Sequence, residues 1–204
     1  MTATLPTRTP APFLEWPAYR LAVWALLVNE AFLFGTVLAA GFFLRFAGTV
    51  PWPRPGDALA LGPVLLATTI LIGSSATLNE SLDALRRSNT YVSRRWLVWT
   101  LLAGTIFLGI QAFEWWELRH AAMALSASPG VPLTSNPWGA ASFMQIFFLA
   151  TGLHGLHVMV GLLLMAWLLA ANRETDVRYL ESVALYWHFV DLVWIFIVSS
   201  LYFL

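Results

Sequence analysis

Residues 151–171 read TGLHGLHVMVGLLLMAWLLAA, an apolar run with no Asp, Glu, Lys or Arg that contains two histidines, His154 and His157. A helix needs about 20 mostly apolar residues to cross a bilayer, and this run is long enough. The same criterion predicts an N-terminal tail over residues 1–16 and one transmembrane domain over residues 17–204. We therefore expect an all-α membrane bundle of five spanning helices, at about residues 17–46, 59–83, 95–118, 139–171 and 179–203.

The composition also indicates a membrane protein. Of 204 residues, 59% are hydrophobic and 11% are charged, whereas an ordinary soluble domain has about 25% charged residues. The chain has no cysteine, which excludes disulfides, thiolate metal sites and cysteine nucleophiles. Eleven basic residues balance eleven acidic ones, so the net charge indicates no nucleic acid partner. The tail over residues 1–16 has no apolar core, and we expect no cleavable signal peptide.

The arginines predict the orientation of the bundle. Short cytoplasmic loops of membrane proteins carry an excess of basic residues. If the N-terminus is cytoplasmic, eight arginines lie on the cytoplasmic side and three on the outside. We therefore predict that the N-terminus lies in the cytoplasm and the C-terminus outside. The inner set is Arg8, Arg20, Arg86, Arg87, Arg94, Arg95, Arg173 and Arg178, and the outer set is Arg45, Arg54 and Arg119.

Ionisable groups inside a span are costly and usually face the bundle interior or a water-filled cavity, and six of those within the predicted spans are candidate functional groups. They are Glu30, Glu114, His154, His157, His188 and Asp191. Residues three apart share a helix face, so the two histidine-containing segments each present two polar groups together. Counting about 1.5 Å per residue from the cytoplasmic ends predicts two polar layers. One holds Glu30, His157 and Asp191, and the other holds Glu114 and His154.

The residues alone leave three interpretations of these groups open. Histidines bind haem and transition metals, although the helix with two histidines supplies no carboxylate for a di-metal site. Chains of Asp, Glu and His also relay protons within membranes. Alternatively, carboxylates and imidazoles satisfy one another and hold helices together without leaving a bare charge in low dielectric. Glycines beside His154 and His157 favour this last interpretation, since small residues let helices approach closely.

Four segments resemble motifs of subunit III of the haem-copper respiratory oxidases. The family's G-x-H-G-x-H-V and Y/F-W-H-F-x-D-x-V-W motifs stand here in full as Gly152–Val158 and Tyr186–Trp194. Its Q-x-x-E-[YW] motif matches Gln111–Trp115, and its S-E-x-x-x-F motif matches Asn29–Phe34 with asparagine in place of serine. The resemblance covers all five predicted spans in family order. Longer members have seven spans, so the chain is similar to the shorter bacterial form.

This resemblance implies a non-catalytic subunit III of a bacterial cytochrome c oxidase of the aa3 type, in the bacterial cytoplasmic membrane. In that family, subunit III binds no haem or copper, and these cofactors are expected in partner subunits. The expected partners are subunit I in direct contact, subunit II in the same complex, and phospholipids. The implied roles are to stabilise subunit I and to support proton uptake during oxygen reduction. We find no catalytic motif, and expect no catalytic centre in this chain.

The resemblance also implies roles for particular residues. The six intramembrane groups are expected to be structural or proton-related and not to bind metal, with Glu30 hydrogen-bonded and shielded from bulk water. Arg173 and Arg178 are expected to hold lipid headgroups. Three other identities are considered: subunit III of a quinol oxidase, the subunit-III-like accessory protein of nitric oxide reductase, and a membrane cytochrome. The last would bind haem between His188 and either His154 or His157.

Overall fold

The computed structural model describes residues 18–47, 61–126 and 141–203. Its five α-helices are each long and apolar enough to cross a membrane, which confirms the predicted all-α fold. The last helix continues into a π-helical turn, Ser199–Phe203. The predicted tail lies outside the described residues, and the direction of the chain across the membrane stays a prediction. The helices are α1 (Ala18–Phe46), α2 (Leu61–Arg86), α3 (Thr90–Ser126), α4 (Ala141–Ala170) and α5 (Val177–Val198).

The connection between α2 and α3 is shorter than the sequence predicts. The apolar criterion begins the third helix at about residue 95, but α3 begins at Thr90. Ser88 adopts the left-handed region with φ of 61° and ends α2. The Asn89 side chain accepts a hydrogen bond from the Val92 backbone N–H at 3.2 Å, which satisfies one of the free donors at the start of a helix. Arg94 and Arg95 therefore lie within α3, because a helix continues past the apolar region wherever a cap supports it.

Helix α5 lies at the centre of the bundle, where it packs against α1, α2 and α4. Trp187 of α5 is fully buried. A Cβ atom at Gly104 of α3 would come within 2.8 Å of its ring, and a Cβ at Gly161 of α4 within 2.7 Å. Glycine at both positions therefore allows the indole to fit between the neighbouring backbones. Helix α1 is the most peripheral of the five helices, since the smallest share of its most apolar stretch is buried, and it packs mainly against α4 and α5.

Candidate functional site

A histidine–glutamate pair joins α1 to α4. His157 Nε2 lies 3.0 Å from Glu30 Oε2, and both side chains are largely shielded. His157 Nδ1 lies 2.7 Å from the Leu153 carbonyl oxygen. Because a carbonyl can only accept a hydrogen bond, Nδ1 carries a proton and donates it. One further proton then lies between Nε2 and the carboxyl group, so the pair is electrically neutral whichever partner holds it. The sequence prediction that Glu30 and His157 lie at one level agrees with this contact.

Aromatic side chains enclose this pair. The Phe34 ring meets the His157 ring edge-to-face, with centroids 5.1 Å apart. The Tyr186 hydroxyl donates to the His157 backbone carbonyl at 3.1 Å. Side chains of α1, α4 and α5 thus meet around His157, and the neutral pair is kept in an apolar setting where an unpaired charge would be costly.

Asp191 does not pair with Glu30 or His157 among the described residues, although the sequence predicts that all three lie in one layer. It is hydrogen-bonded to Ser75 of α2. Ser75 Oγ also lies 2.7 Å from His188 Nδ1, and His188 Nε2 lies 3.0 Å from Asn79 Oδ1. The shared face of His188 and Asp191 is therefore turned towards α2. The rotation of α5 about its axis brings hydroxyl and amide groups of α2, and not Glu30, to these side chains.

Two tryptophans strengthen the same contact between α2 and α5. Trp187 Nε1 donates to Ser74 Oγ at 2.9 Å, and Trp194 Nε1 donates to Thr68 Oγ1 at 3.0 Å. Both indole N–H groups thus find hydroxyl partners, the buried Ser74 and the half-buried Thr68, as buried aromatic N–H groups usually do. Small hydroxyl residues on α2 therefore act as the acceptors for α5. Sequence reasoning missed them because serine and threonine carry no charge and are common in apolar spans.

The second predicted polar layer is also wrong in its pairing. The Tyr202 hydroxyl lies 3.0 Å from each carboxyl oxygen of Glu114 and donates to that group. This contact joins α3 to the π-helical turn after α5. His154 is fully buried and has no hydrogen-bond partner in the described part of the chain. Its ring stacks on Trp194 at a centroid distance of 4.9 Å and meets Phe107 at 5.7 Å, so aromatic packing replaces the predicted pairing.

Ion pairs connect helix ends on one side of the bundle. Glu181 of α5 accepts hydrogen bonds from Arg20 of α1 and Arg86 of α2, each at 3.0 Å. Arg94 of α3 lies 3.1 Å from the buried Glu174 in the connection between α4 and α5. Sequence reasoning treated these arginines only as orientation signals. The acidic residues at matching helix ends were the signal that would have predicted their partners.

The two arginines expected to hold lipid lie in or beside the connection between α4 and α5. Arg178 forms an ion pair with Asp176 at 3.0 Å, and its side chain is 70% exposed. Hydrogen bonds from Arg178 hold the pKa of the Asp176 carboxyl below its usual range. The Arg173 guanidinium lies 6.0 Å from the centre of the Tyr179 ring. Both cations are thus close to one helix end, and their lipid-binding role stays a prediction.

Metal and haem binding can be considered from the same contacts. Within residues 18–47, 61–126 and 141–203, no three His, Cys, Asp or Glu side chains group in a way that could hold a metal ion. Both ring nitrogens of His157 and of His188 have hydrogen-bonding partners. Axial ligation of haem by either histidine would break those contacts, and His154 is enclosed by aromatic rings. The arrangement as a whole forms hydrogen bonds between neighbouring helices.

Comparisons with known proteins give a consistent result. The model of the family described as cytochrome c oxidase subunit III matches residues 17–204. A probable cytochrome c oxidase subunit 3 of Mycobacterium bovis is 34% identical over 89% of this chain and 85% of its own length. A similar protein of Nocardia farcinica is 30% identical over 89% of this chain and 84% of its own. A probable quinol oxidase subunit 3 of Staphylococcus epidermidis is 32% identical over 90% of this chain and 87% of its own length.

Proposed function

The chain belongs to the cytochrome c oxidase subunit III family of the haem-copper oxidases, and from this premise we propose that it serves a bacterial cytochrome c oxidase of the aa3 type as its non-catalytic third subunit. In this proposal the chain stabilises subunit I and supports proton uptake while the complex reduces oxygen. Haem and copper are held by the partner subunits. The complex lies in the bacterial cytoplasmic membrane, with subunit II as the other partner.

The observation that carries this proposal is the internal pairing of the intramembrane carboxyl groups. Glu30 pairs with His157, Glu114 with Tyr202, and Asp191 with Ser75. Each contact joins two different elements of the bundle, so these groups work as connections between helices. A scaffold subunit needs such connections, whereas a redox subunit needs ligands directed at a metal.

The contact with subunit I is proposed to involve α1. Its side chains are the least covered by the rest of the chain, and Asn29 is exposed in the middle of the helix. An amide group facing lipid is costly because lipid offers no hydrogen-bond partner. A polar partner group from subunit I would satisfy Asn29. This face of α1 is therefore the one we expect subunit I to cover.

Phospholipid headgroups are proposed to bind at the α4–α5 connection. Arg178 is mostly exposed although it pairs with Asp176, and it retains donors for a phosphate group. Arg173 lies close to the Tyr179 ring, and an aromatic ring near a helix end is typical of the membrane interface. The two guanidinium groups and the ring together suit an anionic headgroup at that level.

A quinol oxidase is the second candidate, because relatives at 32% identity carry that name. The two complexes differ in electron donor, and the donor is oxidised by other subunits. Purification of the complex through an affinity tag on this chain tests both candidates. We expect a large haem-bearing chain to co-purify and the complex to oxidise reduced cytochrome c. Oxidation of quinol alone would favour the second candidate.

Removal of this chain from the purified complex tests the proposed role. We expect the depleted complex to retain its haem spectrum, to take up protons more slowly, and to lose activity faster during turnover. Adding the purified chain back provides the control. If the complex loses haem in proportion to the amount of this chain removed, the proposal is contradicted. A Soret band in the isolated chain would also contradict it, because it would show that this chain binds haem.

A further inference from the structure

The side chains of Asn79, His188, Ser75 and Asp191 form a continuous hydrogen-bonded chain between α2 and α5. Asn79 Oδ1 meets His188 Nε2 at 3.0 Å, His188 Nδ1 meets Ser75 Oγ at 2.7 Å, and Ser75 bonds to Asp191 Oδ2. Asn79 is exposed, His188 and Ser75 are half-buried, and Asp191 is buried. The chain therefore leads from the surface of the bundle to an interior carboxyl group.

A cavity opens at the exposed end of this chain. It has a volume of about 430 Å³, is partly open, and lies between α1, α2 and α5. Asn79 and His188 line it together with the charged groups of Arg20, Arg86 and Glu181. The cavity is large enough for water, and the polar groups within its largely apolar lining offer the hydrogen bonds that hold water in such sites. Protons can thus reach His188 from the cavity side.

The hydrogen bonds limit where the protons of the chain lie. Asn79 Oδ1 only accepts, so His188 Nε2 donates to it. Ser75 has one hydroxyl proton, so it donates to one neighbour and accepts from the other. In one arrangement a protonated Asp191 donates to Ser75, and Ser75 donates to neutral His188. In the other, His188 is protonated on both nitrogens and donates to Ser75, which donates to the Asp191 carboxylate.

These two arrangements are the ends of one proton transfer. The Oδ2 proton of Asp191 passes to Ser75 Oγ while the hydroxyl proton of Ser75 passes to His188 Nδ1. His188 then gives its Nε2 proton to a water molecule in the cavity, and the Asn79 amide turns so that its NH₂ group donates to the freed nitrogen. In sum, Asp191 loses one proton, water gains one, and His188 has exchanged its Nε2–H bond for an Nδ1–H bond. Uptake is the same sequence in reverse.

We propose that these four side chains form a proton-exchange site, in which Asp191 stores one proton and exchanges it with the cavity through Ser75 and His188. Asp191 Oδ1 is buried and has no hydrogen-bond partner among the described residues. The path ends there, so the site stores a proton and does not conduct it across the membrane. This inference goes beyond the proposed scaffold function and does not depend on it.

The other ionisable groups near the site are engaged elsewhere or face outward. Glu181 binds Arg20 and Arg86, Glu30 binds His157, and His154 stacks on Trp194. None of these groups hydrogen-bonds to a member of the four-residue chain in the described part of the protein. Besides His188 and Asp191 themselves, the titratable or charged residues on α5, α1, α2 and α4 are Tyr19, Arg20, Glu30, Arg45, Glu80, Asp83, Arg86, His154, His157, Arg178, Tyr179, Glu181 and Tyr186.

Infrared spectroscopy of the full-length chain in lipid vesicles tests the site. Aspartate is labelled with carbon-13, and Asp191→Asn identifies the Asp191 bands among the four aspartates of the chain, which are Asp57, Asp83, Asp176 and Asp191. We expect these bands to change between protonated and ionised forms with pH. We also expect the protonated carboxyl to exchange rapidly after mixing into D₂O.

Matched variants distinguish proton exchange at Asp191 through Ser75 and His188 from exchange with water that reaches Asp191 directly. Ser75→Ala removes the middle hydroxyl and should slow the exchange at Asp191 by about 100-fold, as expected when a positioned proton-transfer group is lost. Ser75→Thr keeps a hydroxyl and should restore it. Ser74→Ala alters the adjacent buried serine, which bonds to Trp187, and should leave exchange unchanged. His188→Phe should slow it as Ser75→Ala does.

Two results would overturn the proposal. Exchange at the native rate in both Ser75→Ala and His188→Phe would show that water reaches Asp191 without the relay. A single Asp191 protonation state over the whole pH range in which the chain stays folded would show that no proton is stored. If Asp191→Asn does not accumulate, the Ser75→Ala and Ser75→Thr pair still decides, because both keep the labelled carboxyl group.

Discussion

Helices α5 and α1 are both long and apolar, but the rest of the chain covers them to different extents. In the most apolar stretch of each, 56% of the residues of α5 are buried and only 11% of those of α1. Helix α5 is held by close packing, because the Trp187 ring lies directly against Gly104 and Gly161. Helix α1 is attached to the others by the Arg20–Glu181 ion pair and the Glu30–His157 contact. Apolar sequence therefore predicts membrane insertion but not packing within the chain.

The largest expected effect is at Trp187. Trp187→Ala removes a fully buried indole and its hydrogen bond to Ser74, and should lower the free energy of unfolding by about 3–5 kcal/mol. Phe32 of α1 is 71% exposed, and Phe32→Ala should change the free energy of unfolding by at most about 0.5 kcal/mol. Unfolding of the isolated chain in mixed micelles measures both. Similar losses would mean that α1 is packed as tightly as α5.

A smaller effect is expected from adding one methyl group at a glycine. Gly161→Ala places a Cβ 2.7 Å from the Trp187 ring, and the strain should cost about 1–3 kcal/mol. Gly35 of α1 has no atom within 4 Å of an added Cβ, so Gly35→Ala should leave the stability of the isolated chain nearly unchanged. The same unfolding assay applies. A stable Gly161→Ala variant would show that the indole can move at little cost.

Loss of the Glu30–His157 contact should lower the stability of the isolated chain modestly and should reduce its assembly into the complex more clearly. His157→Ala removes the partner of Glu30 and should cost about 1 kcal/mol, which is typical of a hydrogen bond between membrane helices. We expect less of the variant in the purified complex, with electron transfer per assembled complex retained. His120→Ala, at the exposed end of α3, is the control. Normal assembly with abolished electron transfer would contradict a scaffold role for this pair.

The smallest effect is expected at the start of α5, where Asp176 accepts hydrogen bonds from Arg178. The pKa of Asp176 is lowered in the folded chain, so its stabilising contribution is present above the usual pKa of aspartate and is lost as the pH falls through the lowered value. Asp176→Asn should therefore reduce the unfolding midpoint slightly at neutral pH and not at acid pH. Thr175→Ala keeps the carboxylate and should retain the pH dependence of the native chain.

The number of spans and the Glu30–His157 contact could be predicted from the sequence because both depend on distance along a helix. Apolar length sets the spans, and counting residues from the helix ends places Glu30 and His157 at one level. The partners of Asp191 and Glu114 depend on rotation about the helix axis and on which helices are neighbours. A depth count contains neither quantity, and therefore Asp191 was assigned to Glu30 and Glu114 to His154.

Hydroxyl partners were the other feature that the sequence did not disclose. Ser75 and Tyr202 complete the contacts of Asp191 and Glu114, yet neither residue type stands out in an apolar span. Serine in a membrane helix can also satisfy itself by bonding to a backbone carbonyl one turn earlier, as Ser74 does with Leu71. Only the packing of α2 on α5 distinguishes Ser75 from its neighbour.

The peripheral position of α1 has a consequence for how the protein is made. This helix leaves the ribosome before the other four described helices, but Glu181 and His157, which hold it, belong to α5 and α4. His157 follows its partner Glu30 by 127 residues, which take roughly 6–25 s to translate at about 5–20 residues per second. During that interval the newly inserted first helix must wait in the bilayer without either attachment, exposed to membrane insertases and to quality-control proteases.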